Sequence, residues 1–117
     1  MLWHKLTDIS QLEGIKNLSK EQSGFGLTVL LFKHSTRCSI SSMALSRLES
    51  KWQNDDKILA YFLDLLNHRD ISNEIASLFS VEHASPQVLL IKDGVCIYHA
   101  SHTNISASEI VAAAKGD

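Results

Sequence analysis

Apolar and polar positions along this chain switch repeatedly between the period of a helix and that of a strand. Apolar residues recur at every third position from Ile9 to Leu18, as on one face of a helix, and Asp8 or Ser10 can cap its start. The uninterrupted run from Leu27 to Phe32 has the length and the side chains of a strand. The first part is therefore predicted to contain a short Leu2 to Leu6 stretch, a helix to about Gln22, a break at Ser23 to Gly26, and a strand.

The middle of the chain repeats this change of period. Helical spacing from Ser39 to Trp52, with Met43 at one of its apolar positions, precedes a second strand-like run from Ile58 to Leu65. Two strands joined by a helix form a parallel pair. The connecting elements are predicted to be a turn at Asn54 to Asp56 and a helix from Asn73 to Phe79 that Asp70 or Ser72 caps.

The last third predicts a hairpin and a closing helix. Asp93 and Gly94 separate two apolar runs, and this dipeptide supplies the positive φ angles that a tight turn requires. Ser106 and Glu109 have the spacing of a capping box, before an alanine-rich helix to Lys115. The strands of the hairpin are predicted at Gln87 to Lys92 and at Val95 to Tyr98.

The predicted order of elements is β-α-β-α-β-α-β-β-α. A parallel half followed by an antiparallel hairpin is the layout of a thioredoxin fold. We therefore expect the α/β class, with a central mixed sheet of four to five strands and helices on both faces. The 117 residues, of which 44% are hydrophobic, suffice for one core, and no linker divides the chain. A single domain over residues 1–117 is expected.

Charge and hydropathy exclude several classes of function. The formal net charge is −2, with acidic and basic residues interspersed, so neither nucleic acid nor an anionic membrane surface is expected as a partner. The first residues lack the pattern of a secretory leader, and no apolar stretch approaches the ~20 residues of a membrane span. We therefore expect a cytoplasmic protein.

The two cysteines have different surroundings. Cys38 lies where the second helix begins, next to Arg37, and the free N–H groups and dipole of a helix N-terminus stabilise a thiolate. Cys96 lies within an apolar strand-like segment, where a thiol is usually an inert small hydrophobe. In a reducing compartment a reactive cysteine is catalytic or redox-sensing. Cys38 is therefore the candidate nucleophile.

Four separated segments carry a more specific resemblance. They are residues 32–41 (FKHSTRCSIS), 69–76 (RDISNEIA), 83–87 (HASPQ) and 101–102 (SH). In this order they resemble the monothiol bacilliredoxin family, although Ser39 stands where that family typically has a proline. The resemblance implies removal of bacillithiol from protein mixed disulfides. Bacillithiol would then be a thiol co-substrate, bacillithiolated client proteins the partners, and no bound cofactor would be needed.

The residues agree with a mechanism that uses one cysteine. Ser41 occupies the place, three residues after Cys38, where dithiol thioredoxins carry their resolving cysteine. A serine cannot form an internal disulfide, so an external thiol must clear the Cys38 mixed disulfide. Ser41 and Thr36 are also candidates for hydrogen bonds to the sulfur, whereas a serine in a first helical turn is otherwise a capping group.

The resemblance also singles out the only proline of the chain. Thioredoxin-like folds place a cis-proline opposite the reactive sulfur, which predicts that Pro86 and the backbone of Ser85 meet the substrate. Without the resemblance, Pro86 would be interpreted only as the residue that ends a loop and begins a strand.

Four charged or titratable residues are further candidates. Arg37 and Lys33 are expected to stabilise the thiolate and to attract the carboxylates of bacillithiol, or else to be ordinary solvated charges. His34 and His83 are expected to titrate near neutrality, where His34 would tune Cys38 and His83 would contribute to substrate binding, or else to cap or pack.

Other chemistries remain as alternatives. His34 with Cys38, and His99 with His102, have ligand-like spacings but lack further ligands at zinc-type spacing, so no metal site is predicted. Iron–sulfur ligation is a minor option, because the motif lacks the Cys-Gly-Phe-Ser form of that class. The remaining alternative is a catalytically quiet thioredoxin-like binding module or redox sensor, in which Cys38→Ala would leave partner capture unaffected.

Overall fold

The computed structural model describes residues 1–20, 27–53 and 57–116. The predicted break at Ser23 to Gly26 and the predicted turn at Asn54 to Asp56 lie outside these residues. The strands are β1 (Trp3–Lys5), β2 (Thr28–His34), β3 (Ile58–Asp64), β4 (Gln87–Lys92) and β5 (Val95–Ser101). The helices are α1 (Gln11–Ser19), α2 (Ser39–Lys51), α3 (Arg69–Phe79) and α4 (Ala107–Lys115), with a 3₁₀ helix at His102–Asn104.

The strands form one mixed sheet in the order β1-β3-β2-β4-β5. Strand β3 pairs in parallel with β1 and β2, whereas β4 is antiparallel to β2 and β5. In this register Lys33 of β2 lies opposite Gln87 of β4, and His34 lies opposite Asp64 of β3. The parallel half, the hairpin and the α/β class are thereby confirmed.

Alternate side chains of the sheet enter two apolar layers. Leu31 on β2 belongs to the layer that also contains Ile15 of α1 and Ile75 of α3. Its neighbour Phe32 belongs to the layer that contains Leu48 of α2. Because successive residues of a strand point to opposite faces, Lys33 lies on the α1/α3 face and His34 on the α2 face.

Two predicted apolar positions face water. The side chains of Ile9 and Met43 are 43% and 66% exposed, so neither contributes to a helix stripe as predicted. Ile9 precedes the first residue of α1, and Met43 lies on the side of α2 away from Ala44 and Leu48. No helix of the described residues is long and apolar enough to span a membrane.

The predicted helix caps are largely wrong. Helix α3 begins at Arg69, earlier than predicted, so Asp70 and Ser72 lie inside it. Ser10 and Ser106 hold the N-cap positions of α1 and α4 but make no side-chain capping bond. Glu109 instead accepts a hydrogen bond from the Tyr98 hydroxyl of β5 at 3.0 Å. Strand β5 extends beyond its predicted end, to Ser101.

The predicted turn between β4 and β5 is confirmed. Asp93 and Gly94 have φ angles of 55° and 79°, as the Asp-Gly dipeptide indicates. Their backbone N–H groups donate to the carbonyl and to the hydroxyl of Ser19, at 2.8 and 2.9 Å. The buried end of α1 therefore holds the tip of the hairpin in place.

Candidate active site

Cys38 is the N-cap residue of α2, directly after the loop that follows β2. Its backbone N–H donates to the Ser35 carbonyl, and its own carbonyl accepts from Ser42 N, both at 3.1 Å. The side chain is half-buried, and within the described chain its sulfur has no hydrogen bond. Thr36 and Arg37, before it, are exposed, and the predicted hydrogen bond from Thr36 to the sulfur is not formed. The sulfur thus lies at a helix N-terminus, beside an exposed arginine.

The Ser41 hydroxyl is bonded to the loop rather than to the sulfur. Its Oγ accepts the Ser35 N–H at 3.1 Å and lies 2.7 Å from His34 Nδ1. The side chain is fully buried. Ser41 therefore joins the end of β2 to the loop before Cys38, and the predicted bond from Ser41 to the sulfur is not formed.

His34 is a buried imidazole beside the rings of Phe32 and Phe62, whose centroids lie 5.9 and 5.3 Å away. Ser41 Oγ accepts the Ser35 N–H and can either donate to Nδ1 or accept from it, so the contact is satisfied in both neutral tautomers of His34. Burial lowers the pKa of His34, although the charge of Asp64 raises it. His34 is therefore a neutral hydrogen-bond partner at pH 7, not the predicted titrating group.

Lys33 is not the surface cation that the sequence predicts. Its side chain is fully buried, and Nζ donates to the Ser72 carbonyl at 3.2 Å and lies 3.3 Å from His83 Nδ1. Burial lowers the pKa of its amine to about 8. Strand alternation carries the signal that was missed, because Lys33 shares a face with the core residue Leu31. Lys33 can therefore neither attract substrate carboxylates from the surface nor act as a solvated charge.

His83 is exposed, but its Nδ1 faces inward. Ser72 Oγ lies 3.2 Å from this nitrogen, next to Lys33 Nζ. Partial burial, and then the charges of Lys33 and Arg69, lower the pKa of His83. Ser72, predicted only as a possible cap, is thus the third member of a polar group with Lys33 and His83.

The peptide bond between Ser85 and Pro86 is cis, as predicted for this position. Pro86 is buried, and its carbonyl accepts from His102 N at 3.0 Å. Since Gln87 pairs with Lys33, Pro86 comes level with His34, at the edge of the sheet where the Cys38 loop begins. The Ser85 hydroxyl is buried and has no hydrogen-bond partner in the described structure.

No group of three or more His, Cys, Asp or Glu side chains in the described residues is placed to hold a metal ion. The candidate site brings together the half-buried thiol of Cys38 with the exposed Arg37, the Ser85–Pro86 peptide, the Ser41–His34 pair on the α2 face and the Lys33–Ser72–His83 group on the α3 face. Such a site can carry out thiol–disulfide exchange through a single sulfur.

The strand order, the cysteine at the start of α2 and the cis-proline before β4 define a thioredoxin-fold protein. A structure of a thioredoxin-fold protein proposed to be an oxidoreductase superposes with a TM-score of 0.77 at 29% identity, covering 94% of this chain and 91% of the other. The Malassezia sympodialis thioredoxin superposes with a TM-score of 0.72 at 18% identity, covering 98% of this chain and 90% of the other. Mitochondrial thioredoxin 3 of Saccharomyces cerevisiae superposes with a TM-score of 0.66 at 23% identity, covering 92% of this chain and 90% of the other.

The family model described as monothiol bacilliredoxin BrxC matches residues 4–110. The chain therefore belongs to the monothiol bacilliredoxin family.

Proposed function

We propose that the protein is a monothiol thiol–disulfide oxidoreductase that removes bacillithiol from protein mixed disulfides in the reducing cytoplasm. The observation that carries this proposal is the position of Cys38 at the start of α2, with the buried hydroxyl of Ser41 three residues later. Membership of the bacilliredoxin family supports bacillithiol as the thiol.

Cys96 is badly placed to act as a resolving thiol. It packs against the α1/α3 layer, whereas α2, which Cys38 begins, lies on the other face. It also pairs with Ile91, four residues along β4 from Gln87 and thus roughly 13 Å from the Cys38 end of the sheet. A disulfide needs Cα atoms within about 7 Å. An external thiol must therefore complete the cycle.

The reaction consists of two exchanges. In the first, the Cys38 thiolate attacks the bacillithiol sulfur of the mixed disulfide, the S–S bond to the client breaks, and the client thiolate leaves and takes a proton from water. In the second, the thiolate of another bacillithiol attacks the bacillithiol sulfur bound to Cys38. This step restores the Cys38 thiolate and yields bacillithiol disulfide, so bacillithiol is the reductant.

The other residues of the site have supporting roles. Arg37 is exposed, so its guanidinium is available to stabilise the thiolate and to bind a substrate carboxylate. The backbone of Ser85 and the cis-proline Pro86 form the surface that the disulfide substrate approaches. Thr36, exposed beside Cys38, is available to a bound thiol.

The experiment is a turnover assay on a model protein whose single cysteine carries bacillithiol. With excess bacillithiol, wild-type protein and Cys96→Ser are expected to release the free client thiol, and Cys38→Ser is expected to release none. A glutathione mixed disulfide of the same client measures specificity for the thiol. Absence of release by wild-type protein would contradict the proposal and favour the quiet binding module or redox sensor.

A further inference from the structure

The mechanism leaves one buried ionisable group without a task. The Lys33 side chain has no exposed surface, although it lies one residue before the end of β2, which leads to Cys38. A buried ammonium is costly unless its donors are satisfied, and two of the three donors of Lys33 have acceptors, Ser72 O and His83 Nδ1. Its partners therefore indicate what it holds together.

The directions of these hydrogen bonds follow from the chemistry of an ammonium group. Lysine carries three donors and no acceptor while it is charged, so in the Lys33 contact His83 Nδ1 is the acceptor and the proton of neutral His83 is on Nε2. Ser72 Oγ, 3.2 Å away, shares this nitrogen. The Ser72 carbonyl belongs to α3, whereas His83 belongs to the loop of residues 81–85 that leads into Pro86. Lys33 thus joins β2 to α3 and to this loop.

The 81–85 loop is fixed at three successive residues. Val81 is buried and its N–H donates to the Ala76 carbonyl at 3.2 Å. The Glu82 carbonyl accepts from Gln87 Nε2 at 3.0 Å. His83 is held by Lys33, which lies directly opposite Gln87 in the sheet. Of the three contacts, only the one to His83 joins the loop to the strand that leads to Cys38.

We propose that Lys33 is a positioning residue for substrate capture: through its hydrogen bond to His83 it fixes the 81–85 loop relative to β2, and so sets where Ser85 and Pro86 stand with respect to Cys38. The inference rests on the proposed function, because the substrate is the disulfide that this surface receives. Lys33 itself touches neither the substrate nor the sulfur.

The charge state of the group agrees with this role. With a pKa of about 8, Lys33 keeps its proton at neutral pH and remains a donor. The pKa of His83 is lowered, so its Nδ1 stays free to accept. Arg69 is the other cation whose charge lowers the pKa of His83, and the neutral Ser72 Oγ also lies next to His83 Nδ1. Lys33 and His83 are therefore in complementary protonation states at neutral pH.

The test compares two replacements of the exposed His83. His83→Asn keeps an acceptor oxygen close to the place of Nδ1, whereas His83→Phe keeps a ring of similar size without any acceptor. His99→Phe, on the exposed face of β5, is the matched control, and Lys33→Met removes the donor. Each protein is assayed for kcat and KM with the bacillithiolated model protein, and for amide hydrogen exchange over residues 81–85.

We expect His83→Phe and Lys33→Met to raise KM about tenfold, since a hydrogen bond to a charged group is lost, with kcat within about twofold of wild type. Exchange over residues 81–85 should rise in both variants. His83→Asn should bring KM and the exchange of residues 81–85 most of the way back to the wild-type values. His99→Phe should match wild type in both. Wild-type KM and loop exchange in His83→Phe would overturn the inference. If wild-type protein shows no turnover, the proposed function fails, and loop exchange alone decides whether Lys33 holds the loop.

Discussion

The Ser41 hydroxyl, three residues after Cys38, lies 2.7 Å from His34 Nδ1. The same oxygen accepts the N–H of Ser35, whose carbonyl in turn accepts the N–H of Cys38. The residue that replaces a second cysteine therefore orders the loop that carries the first. A monothiol site of this kind gains a structural hydroxyl where a dithiol site has a resolving sulfur.

Removing this hydroxyl should destabilise the protein. Ser41→Ala leaves the Ser35 N–H and His34 Nδ1 without their partner in a buried place, which costs about 1–3 kcal/mol. Urea denaturation measures the change in the free energy of unfolding. Ser42→Ala, at the next and exposed position, should change it by no more than ~0.5 kcal/mol. Equal losses in the two variants would show that the Ser41 bonds contribute nothing.

Replacing the hydroxyl by a thiol should change the mechanism. Ser41→Cys restores the cysteine spacing of dithiol thioredoxins, so mild oxidation is expected to join Cys38 and the new thiol in a disulfide. Intact mass should then show the loss of two hydrogens, and thiol titration the loss of two thiols. The double variant Cys38→Ser/Ser41→Cys is the control. Formation of the same internal disulfide in the double variant would mean that Cys96 is the partner.

Alkylation should distinguish the two native cysteines. Burial raises the pKa of Cys96, whose thiol also donates to the Tyr98 carbonyl at 3.2 Å, so little of it is thiolate at neutral pH. Iodoacetamide under native conditions is expected to modify Cys38 first and Cys96 at least about tenfold more slowly. Peptide mapping over a time course measures both rates, and Cys96→Ser shows the Cys38 rate alone. Comparable rates would contradict the assignment of Cys96 as structural.

The buried amine of Lys33 predicts a rise of stability with pH. Its pKa is about 8 in the folded protein and about 10.5 in the unfolded chain, so between these values the unfolded chain holds a proton that the folded protein has released. The free energy of unfolding should therefore gain up to about 3 kcal/mol across this window, and none of that gain exists below pH 8.

Lys33→Met isolates this contribution. Tyr98 and Cys96 have raised pKa values and act in the opposite direction, but they are present in both proteins. The difference in unfolding free energy, wild type minus variant, should rise from pH 8 to pH 10.5. A difference that stays constant over this range would show that Lys33 is not desolvated in solution.

Two glycines should respond to alanine in opposite directions. Gly94 has a φ of +79°, and a Cβ there would meet the Lys20 side chain, so Gly94→Ala should cost about 1–2 kcal/mol. Gly14 lies inside α1 and has open space, so Gly14→Ala should stabilise by about 0.5–1 kcal/mol. Thermal or urea unfolding measures both. Turnover should be unchanged in either, because neither position belongs to the site.

The order of elements was predictable from the sequence because each strand and helix has its own apolar period, and the Asp93-Gly94 turn because its φ angles require those residues. The surroundings of Lys33 were not predictable from the sequence, since its partners Ser72 and His83 come from distant parts of the chain. Ser41 was recognised by its spacing from Cys38, yet its bond to His34 depends on how α2 docks on the sheet. Local pattern thus located the thiol, whereas tertiary packing decided what each polar neighbour does.

Transfer of bacillithiol to Cys38 is tested most directly by the intact mass of the protein after a single exposure to a bacillithiolated client, without free bacillithiol. We expect one bacillithiol adduct on wild-type protein and on Cys96→Ser, with an equal amount of client thiol released, and no adduct on Cys38→Ser. Adding bacillithiol should then remove the adduct. If no adduct forms on wild-type protein, or if one forms on Cys38→Ser, transfer through the Cys38 sulfur is contradicted.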